Sequence, residues 1–504
     1  MLRSEAGLGS DAALRLLFSL IAFGFYFAVL AQGEFVPDRD AYFHIQIARE
    51  ILAHGYVGSI PQMAHAIHAE RYVDFHFLFH YALAPFAAIF SDPLLAVRVA
   101  TAVFAALAVC VLDLTLAGMR VRYRWFWLLC FVLISPIFTG RLLFGRGITL
   151  FLSILFYFVL SLARRRFRRA GIVAGLAVWT YPGFLVLGGL STLYFAAGCL
   201  QRGRPAWPVL LWPSAGIMTA FVIHPALPHQ FYGYWLEFVV HSLRPGELEA
   251  IAEWLSPSKE LLLLGLGAPA VVLLSTLLAA RRHDALGAAL LSATIFFLFA
   301  SALSLKPFEY TVPFLILYAA RQSRGAFRMQ ERVRRRALIE AVYVAGAAAL
   351  LAWSMPQISN RMALQYRLEN PAAHFAAADW LAENTPADTL VALPWDQFPA
   401  FYFRNPANRY LVGLNPVYSY GADRERYLIG RRFFATGSGP YAGPAKSGAA
   451  PLSAADDLRG LGAGFAVLDR RLHGRTLVAL LEGDRRAADV VYHNARFVIV
   501  QARE

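Results

Sequence analysis

The stretch Leu20-Ile21-Ala22-Phe23-Gly24-Phe25-Tyr26-Phe27-Ala28-Val29-Leu30-Ala31 closes an apolar segment that begins near residue 14, and Asp38-Arg39-Asp40-Ala41-Tyr42-Phe43-His44 follows it. A segment of that length and character spans a bilayer. It lacks a small-residue cleavage site and leads at once into the acidic run, so it reads as a retained span. Two carboxylates then stand where the chain leaves the lipid. Ionisable groups at that boundary cost desolvation energy unless water, a cation or a cationic side chain compensates them, which makes Asp38 and Asp40 functional candidates. The structural alternative is a solvated loop after a helix.

The rest of the chain extends this pattern. Of its 504 residues 58% are hydrophobic and only 16% charged, against about a quarter charged in ordinary soluble proteins. Mean hydropathy is +0.49. The composition is that of a polytopic α-helical membrane protein. The formal net charge of +14 sits in short basic clusters between apolar segments, which is a topology signal and argues against nucleic-acid binding. Cys110, Cys130 and Cys199 lie in apolar segments without ligand-like spacing, so neither a disulfide framework nor a zinc site is indicated.

The clusters at Arg120/Arg122/Arg124, 164–169, Arg202/Arg204, Arg281/Arg282 and 321–336 are expected in the cytoplasm. Pairing spans between them gives about eleven transmembrane helices, near 14–31, 93–119, 125–140, 147–163, 170–181, 182–200, 207–223, 260–280, 285–305, 307–320 and 337–354. Region 170–200 is short for two spans, but a single helix there breaks the alternation of every later cluster. Two helices meeting at Thr180-Tyr181-Pro182-Gly183 are therefore expected. Residues 1–354 form the transmembrane domain, with external loops at 32–92 and 224–259, and residues 355–504 form an extracytoplasmic domain. In the first loop, Asp40, His44, Ile47 and Ile51 recur at helical spacing, as do Asp74, Phe77, Leu78 and Tyr81, so two short helices are expected at the membrane surface. In the tail, 389–393, 410–413, 464–468 and 497–500 read as buried strands and 372–383 and 472–482 as helices, which makes a soluble α/β domain. The Gly/Pro/Ser-rich stretch 436–453 reads as a surface loop.

Several separate elements coincide with one family. Asp40-Ala41-Tyr42-Phe43-His44 resembles the first-loop motif of the GT-C superfamily of membrane glycosyltransferases, and within it of the oligosaccharyltransferase catalytic subunits, whose motif carboxylate lies at the catalytic centre. Ala250-Ile251-Ala252-Glu253-Trp254 resembles the family's external-loop glutamate motif. Trp395-Asp396-Gln397-Phe398, with Ala407-Asn408-Arg409 downstream, stands where the family carries its Trp-Trp-Asp-Tyr-Gly acceptor-binding motif and a later Ala-Asn-Arg. There are two departures. Gly145-Arg146-Gly147 replaces the family's second acidic cluster, and Pro394-Trp395 replaces the tandem Trp, with no Tyr-Gly after the Asp. An Asn-x-Ser/Thr peptide acceptor therefore does not carry over.

The resemblance implies transfer of a sugar or oligosaccharide from a polyprenyl-phosphate or -diphosphate donor, on the outer face of a bacterial-type inner or plasma membrane, to a protein, lipid or glycan acceptor. Such transfer needs stabilisation of the leaving anion and a carboxylate to orient or deprotonate the nucleophile. Asp40 is the candidate for the second task, with Asp38 and Glu253 as further catalytic carboxylates. Arg146 and Arg141 are the phosphate candidates, because the guanidinium fork pairs with phosphate oxygens; snorkelling at the interface is the alternative. Trp395 and Asp396 are acceptor candidates. A divalent metal, Mg or Mn, is implied by the family; Asp40 with Asp74, His76, His44 or Glu253 are its candidate ligands or a proton relay, with His80 one turn beyond His76. Otherwise Arg146 supplies the positive charge. Glu309, after Lys306, reads as a local pair and helix cap. Two rival functions are a transporter or flippase of lipid-linked saccharide and a catalytically inactive relative. Transporters gather polar groups near the midplane, often in inverted repeats, whereas these acids gather in outer loops and no internal repeat is evident.

Overall fold

The computed structural model describes residues 2–202, 206–244, 247–248, 251–280, 283–328, 333–434, 454–482 and 488–503. The loop expected at 436–453 and the pair Arg281/Arg282 lie outside them. The chain divides into two compact units. The first comprises Met1–Pro37, Phe75–His224 and Ala252–Arg367, and the second Asp38–Asp74, Pro225–Ile251 and Leu368–Glu504.

The first unit is helical, and several of its helices begin where the sequence supplies caps. Asp92 accepts from the Leu94 amide ahead of Pro93–Gly118, Ser258 from Leu261 ahead of Lys259–Ala279, and Asp284 from Gly287 ahead of Ala285–Leu303. Among the described residues six helices are long and apolar enough to cross a membrane, or seven if one bent pair counts as a span, against the eleven expected. The difference lies mostly in short elements, while the expected span 307–320 falls in Phe308–Arg328, whose 21 residues include Glu309, Arg321, Arg324 and Arg328. The helix Phe167–Thr180 has 14 residues, about 21 Å of rise against a hydrocarbon core of about 30 Å.

The expected span 125–140 is not one helix. It bends by 83° between Arg124–Leu133 and Pro136–Leu142. Pro136 supplies no amide to a continuing helix and restricts Ser135 to extended backbone, while Ser135 accepts from the Phe138 amide at 3.3 Å and starts the second piece. Elsewhere Asp113, inside Pro93–Gly118 with its side chain 1% exposed, is compensated by Arg15 at 3.0 Å and Arg124 at 2.9 Å. The helices Phe167–Thr180 and Pro208–Val222 meet through Gly171, Gly175 and Gly216. A Cβ on Gly216 would stand 1.8 Å from the Gly171 carbonyl oxygen, so these two backbones touch directly.

The second unit holds a five-stranded sheet. Its strands are β1 (Leu390–Ala392), β2 (Arg409–Tyr410), β3 (Phe465–Asp469), β4 (Ala488–His493) and β5 (Phe497–Ala502), in the order β2-β1-β3-β5-β4. β1 pairs parallel with β2 and β3, while β5 is antiparallel to β3 and β4. Helices Ala372–Asn384 and Gly474–Glu482 occupy the expected stretches. The middle of the first external loop, Asp38–Asp74, belongs to this unit: the Tyr410 amide donates to the Gln62 carbonyl at 2.7 Å and the Ala64 amide to the Tyr410 carbonyl at 2.8 Å. The helix Asp40–His54 packs on Phe398–Arg404, with Phe43 against Phe398 and Tyr402.

Two imidazoles are buried in this unit. Burial pushes His68 down to about 4, and burial with nearby Arg496 and Arg39 pushes His374 down to about 3. Both rings fold neutral and take up a proton on unfolding below their ordinary value of about 6.5. Their stabilisation is therefore complete above pH 6.5 and is lost as pH falls through about 4 and about 3. Thermal melts of the intact chain should fall in Tm across that window, and a His68→Leu variant should show a shallower fall. An identical pH slope in that variant counts against His68 as a contributor.

Candidate active site

The bend at Ser135–Pro136 delivers Arg141 to the end of its short helix, and two glycines set Arg146 beyond it. Gly145 has φ +69°, a left-handed turn that glycine takes without strain. A Cβ on Gly147 would lie 2.8 Å from His76 Nδ1 and 3.0 Å from the Thr180 carbonyl oxygen. The Gly-Arg-Gly sequence is thus a tight turn against neighbouring backbone that exposes one cationic side chain between two small residues.

Around that turn the first unit assembles a charge cluster. Arg141 donates from Nε to Glu309 Oε1 at 2.9 Å and from Nη2 to Glu309 Oε1 at 2.5 Å and Glu253 Oε1 at 2.8 Å. Arg146 donates to the same Glu253 oxygen, and Lys306 Nζ lies 3.7 Å from Glu253 Oε2. The Tyr181 hydroxyl donates to Glu309 Oε2 at 2.8 Å. The Glu253 carbonyl accepts from the Leu305 and Lys306 amides, both at 3.1 Å, and from the Ser304 hydroxyl at 2.9 Å, which fastens its loop to the turn before Phe308–Arg328. Burial opposes ionisation of Glu253, but Arg146, Arg141 and Lys306 hold its carboxyl well below the usual range. Side-chain exposure grades outward from 1% for Glu309 and 7% for Arg141 to 18% for Arg146 and 28% for Lys306. Three cations against two carboxylates leave a formal charge of +1, presented by the two outermost cations.

Glu309 does not pair locally, as expected from Lys306. It anchors Arg141 from 168 residues away. Of the residues picked from sequence, Arg141, Arg146 and Glu253 come together here. Glu309, Tyr181 and Lys306 complete the cluster, and only the proximity of Lys306 and Glu309 in sequence gave any sign of it. His76 packs 5.5 Å from the Tyr181 ring and 6.0 Å from His80.

In the second unit Asp40 is the first residue of Asp40–His54, with His44 one turn on, and Asp38 precedes it, buried. The residue between the two acids ties the helix start to the tail. Arg39 donates to Glu369 at 2.6 Å, to the Asp396 carboxylate at 2.9 Å and to the Asp396 carbonyl at 3.2 Å. Asp396, an acceptor candidate, is engaged there and also takes a bond from Gln397 at 2.8 Å. Trp395 lines a narrow cleft of about 30 Å³ with Pro416, Tyr427 and Arg431 among its walls. Asp74 is buried, and Tyr72, buried and hydrogen-bonded to it, is held well above the usual phenol range.

These donors do not fit a divalent ion at Glu253, whose oxygens already face three cations. Among the described residues no group of three or more His, Cys, Asp or Glu side chains is placed to hold one.

No protein-family model matches the sequence, and no curated relative does. Solved structures do resemble the chain. ArnT from Cupriavidus metallidurans bound to undecaprenyl phosphate matches with TM-score 0.54 and 19% identity over 96% of this chain and 97% of that one. The archaeal oligosaccharyltransferase AglB from Archaeoglobus fulgidus, in complex with an inhibitory peptide and a dolichol-phosphate, matches with TM-score 0.61 and 13% identity over 92% and 72%. The arabinofuranosyltransferase AftD from Mycobacteria matches with TM-score 0.53 and 14% identity over 96% and 40%. Likeness at such identities is a likeness of fold, and this chain shares the fold of these three solved structures.

Proposed function

We propose that the protein is an integral membrane glycosyltransferase that moves a sugar or oligosaccharide from a polyprenyl-phosphate or -diphosphate donor to an acceptor on the outer face of the membrane, where the tail also lies. The observation that carries this reading is the cluster at Glu253. Its formal excess of one positive charge, presented by Arg146 and Lys306 at a loop, suits a leaving phosphate. Undecaprenyl phosphate and dolichol-phosphate in two of the structural relatives are lipids of that class.

In the reaction the bond from the sugar's anomeric carbon to the donor phosphate oxygen breaks, its electron pair staying on that oxygen, and the acceptor heteroatom bonds to the carbon. Asp40 orients the acceptor and takes its proton, with Asp38 secondary. Arg146 and Arg141 meet the phosphate charge. Glu253, held ionised by three cations, is suited to aligning them rather than to accepting a proton. Positive charge comes from arginine where the family has a second acidic cluster.

Purified protein given a labelled polyprenyl-phosphate sugar should release glycosylated acceptor and free polyprenyl phosphate. Movement of the intact lipid across vesicles without cleavage is the outcome a flippase gives, and neither event is the outcome of an inactive relative. Trp395→Ala should raise the acceptor KM about tenfold, in the range of losing an aromatic contact, and leave donor binding unchanged. Equal loss of donor binding makes Trp395 a structural residue.

A further inference from the structure

The helix Gly147–Ala163 carries Arg146 at one end and a second concentration of positive charge at the other, which the proposed transfer does not use. Arg164, Arg165, Arg166, Arg168 and Arg169 are all exposed. Among the described residues none of the five forms an ion pair with a carboxylate. Like charges at that density repel one another, and each gains by a shared counter-anion.

The cluster also shares one open surface depression. Arg165, Arg166, Phe167, Arg168, Arg169 and Trp212 line an open cleft of about 560 Å³. Its two walls are the helices Phe167–Thr180 and Pro208–Val222, locked by the direct contact of Gly171 with Gly216. On that rigid pair the Arg168 guanidinium sits 5.2 Å from the Trp212 ring, a cation–π contact that orients the fork and leaves its remaining donors open. Tryptophan is the side chain that settles at lipid headgroup depth. An exposed apolar strip begins one turn further along: Ile172 is 67% exposed, Leu176 41% and Leu211 61%.

We propose that this cleft binds the headgroup of an anionic phospholipid, its phosphate held by Arg165, Arg168 and Arg169 and its acyl chains lying along Ile172, Leu176 and Leu211. A free phosphate would answer the charge but leave the apolar strip unmatched. A zwitterionic lipid would match the strip but bring no net charge. Only an anionic amphiphile meets both features, and the positive-inside pattern puts this end of the helix at the leaflet facing the cytoplasm.

Native mass spectrometry and thermal melts of the full chain in neutral detergent test this, with phosphatidylglycerol, phosphatidylethanolamine, inorganic pyrophosphate and polyprenyl phosphate as probes. Phosphatidylglycerol should be retained and should raise Tm, and phosphatidylethanolamine should do neither. The triple variant Arg165→Gln/Arg168→Gln/Arg169→Gln should bind phosphatidylglycerol about a hundredfold more weakly, at roughly fivefold per surface charge. Its lipid-free Tm should be unchanged, because the three side chains are exposed. Trp212→Ala should also weaken retention. The exposed pair Arg120 and Arg122 provides the control, and Arg120→Gln/Arg122→Gln should leave binding within about twofold. Equal loss in that control means diffuse surface charge and overturns the proposal. An arginine-dependent Tm rise with pyrophosphate alone makes this a soluble-anion site, and displacement of phosphatidylglycerol by equimolar polyprenyl phosphate assigns it to the donor lipid. Either result overturns the phospholipid assignment.

Discussion

Asp40→Asn should cut turnover by about a hundred- to ten-thousand-fold, the usual cost of losing a general base, while the protein remains folded. The substitution keeps the shape of the side chain and removes its charge. The helix it begins stays anchored, because Phe43 remains packed on Phe398 and Tyr402 and Arg39 keeps its bonds to Glu369 and Asp396. Asp38→Asn should be milder, since Asp38 precedes the helix and is two positions off the face shared by Asp40 and His44. Steady-state rates with a labelled donor, set beside melts of the same preparations, separate chemistry from folding. A near-normal rate for Asp40→Asn would sink the catalytic assignment.

Glu309→Ala should destabilise the protein by about 3–5 kcal/mol, the usual cost of stripping one partner from a buried ion pair. Arg141 is 7% exposed and gives two of its bonds to Glu309, and Tyr181 gives its hydroxyl to the same carboxylate. The variant leaves Arg141 with Glu253 alone and takes the Tyr181 hydroxyl's acceptor away. Replacing the pair together, Glu309→Ala with Arg141→Met, should restore much of the loss by removing the stranded charge. Denaturation in detergent micelles gives both values; a single variant as stable as the parent would show that water reaches the pair.

The elements that read clearly from sequence carried strong local signals. The strands at 389–393, 464–468 and 497–500 are short apolar runs between turn residues, and the structure has strands there because those runs fill the sheet's interior. β4 was not legible. Ala488-Asp489-Val490-Val491-Tyr492-His493 is an edge strand, bulged between Val490 and Tyr492 and partly exposed, so its pattern is broken and polar. The bend at Ser135–Pro136 was written in the sequence as an N-cap followed by proline, but the apolar residues on both sides mask it when hydropathy alone is scanned. In the charge cluster, Arg141, Arg146 and Glu253 stood out as charged residues at predicted loop ends. Glu309 and Tyr181 did not, because their roles are set by partners far off in sequence. Arg39 was hidden differently: it lay between the two acids that drew attention.

The reach of Arg141 across the chain also sets an order in time. Glu253 is made 112 residues after it and Glu309 168 residues after it. At synthesis rates of about 5–20 residues per second, the arginine waits about 6–22 seconds for its first carboxylate and about 8–34 seconds for its second. During that interval the Arg141 side chain has neither of the carboxylates that pair with it in the folded chain. The growing chain must hold it against water, lipid phosphate or the insertion machinery until Phe308–Arg328 emerges. Pairing of Arg141 is therefore completed only once Phe308–Arg328 has been made, long after the bent helix pair that carries it.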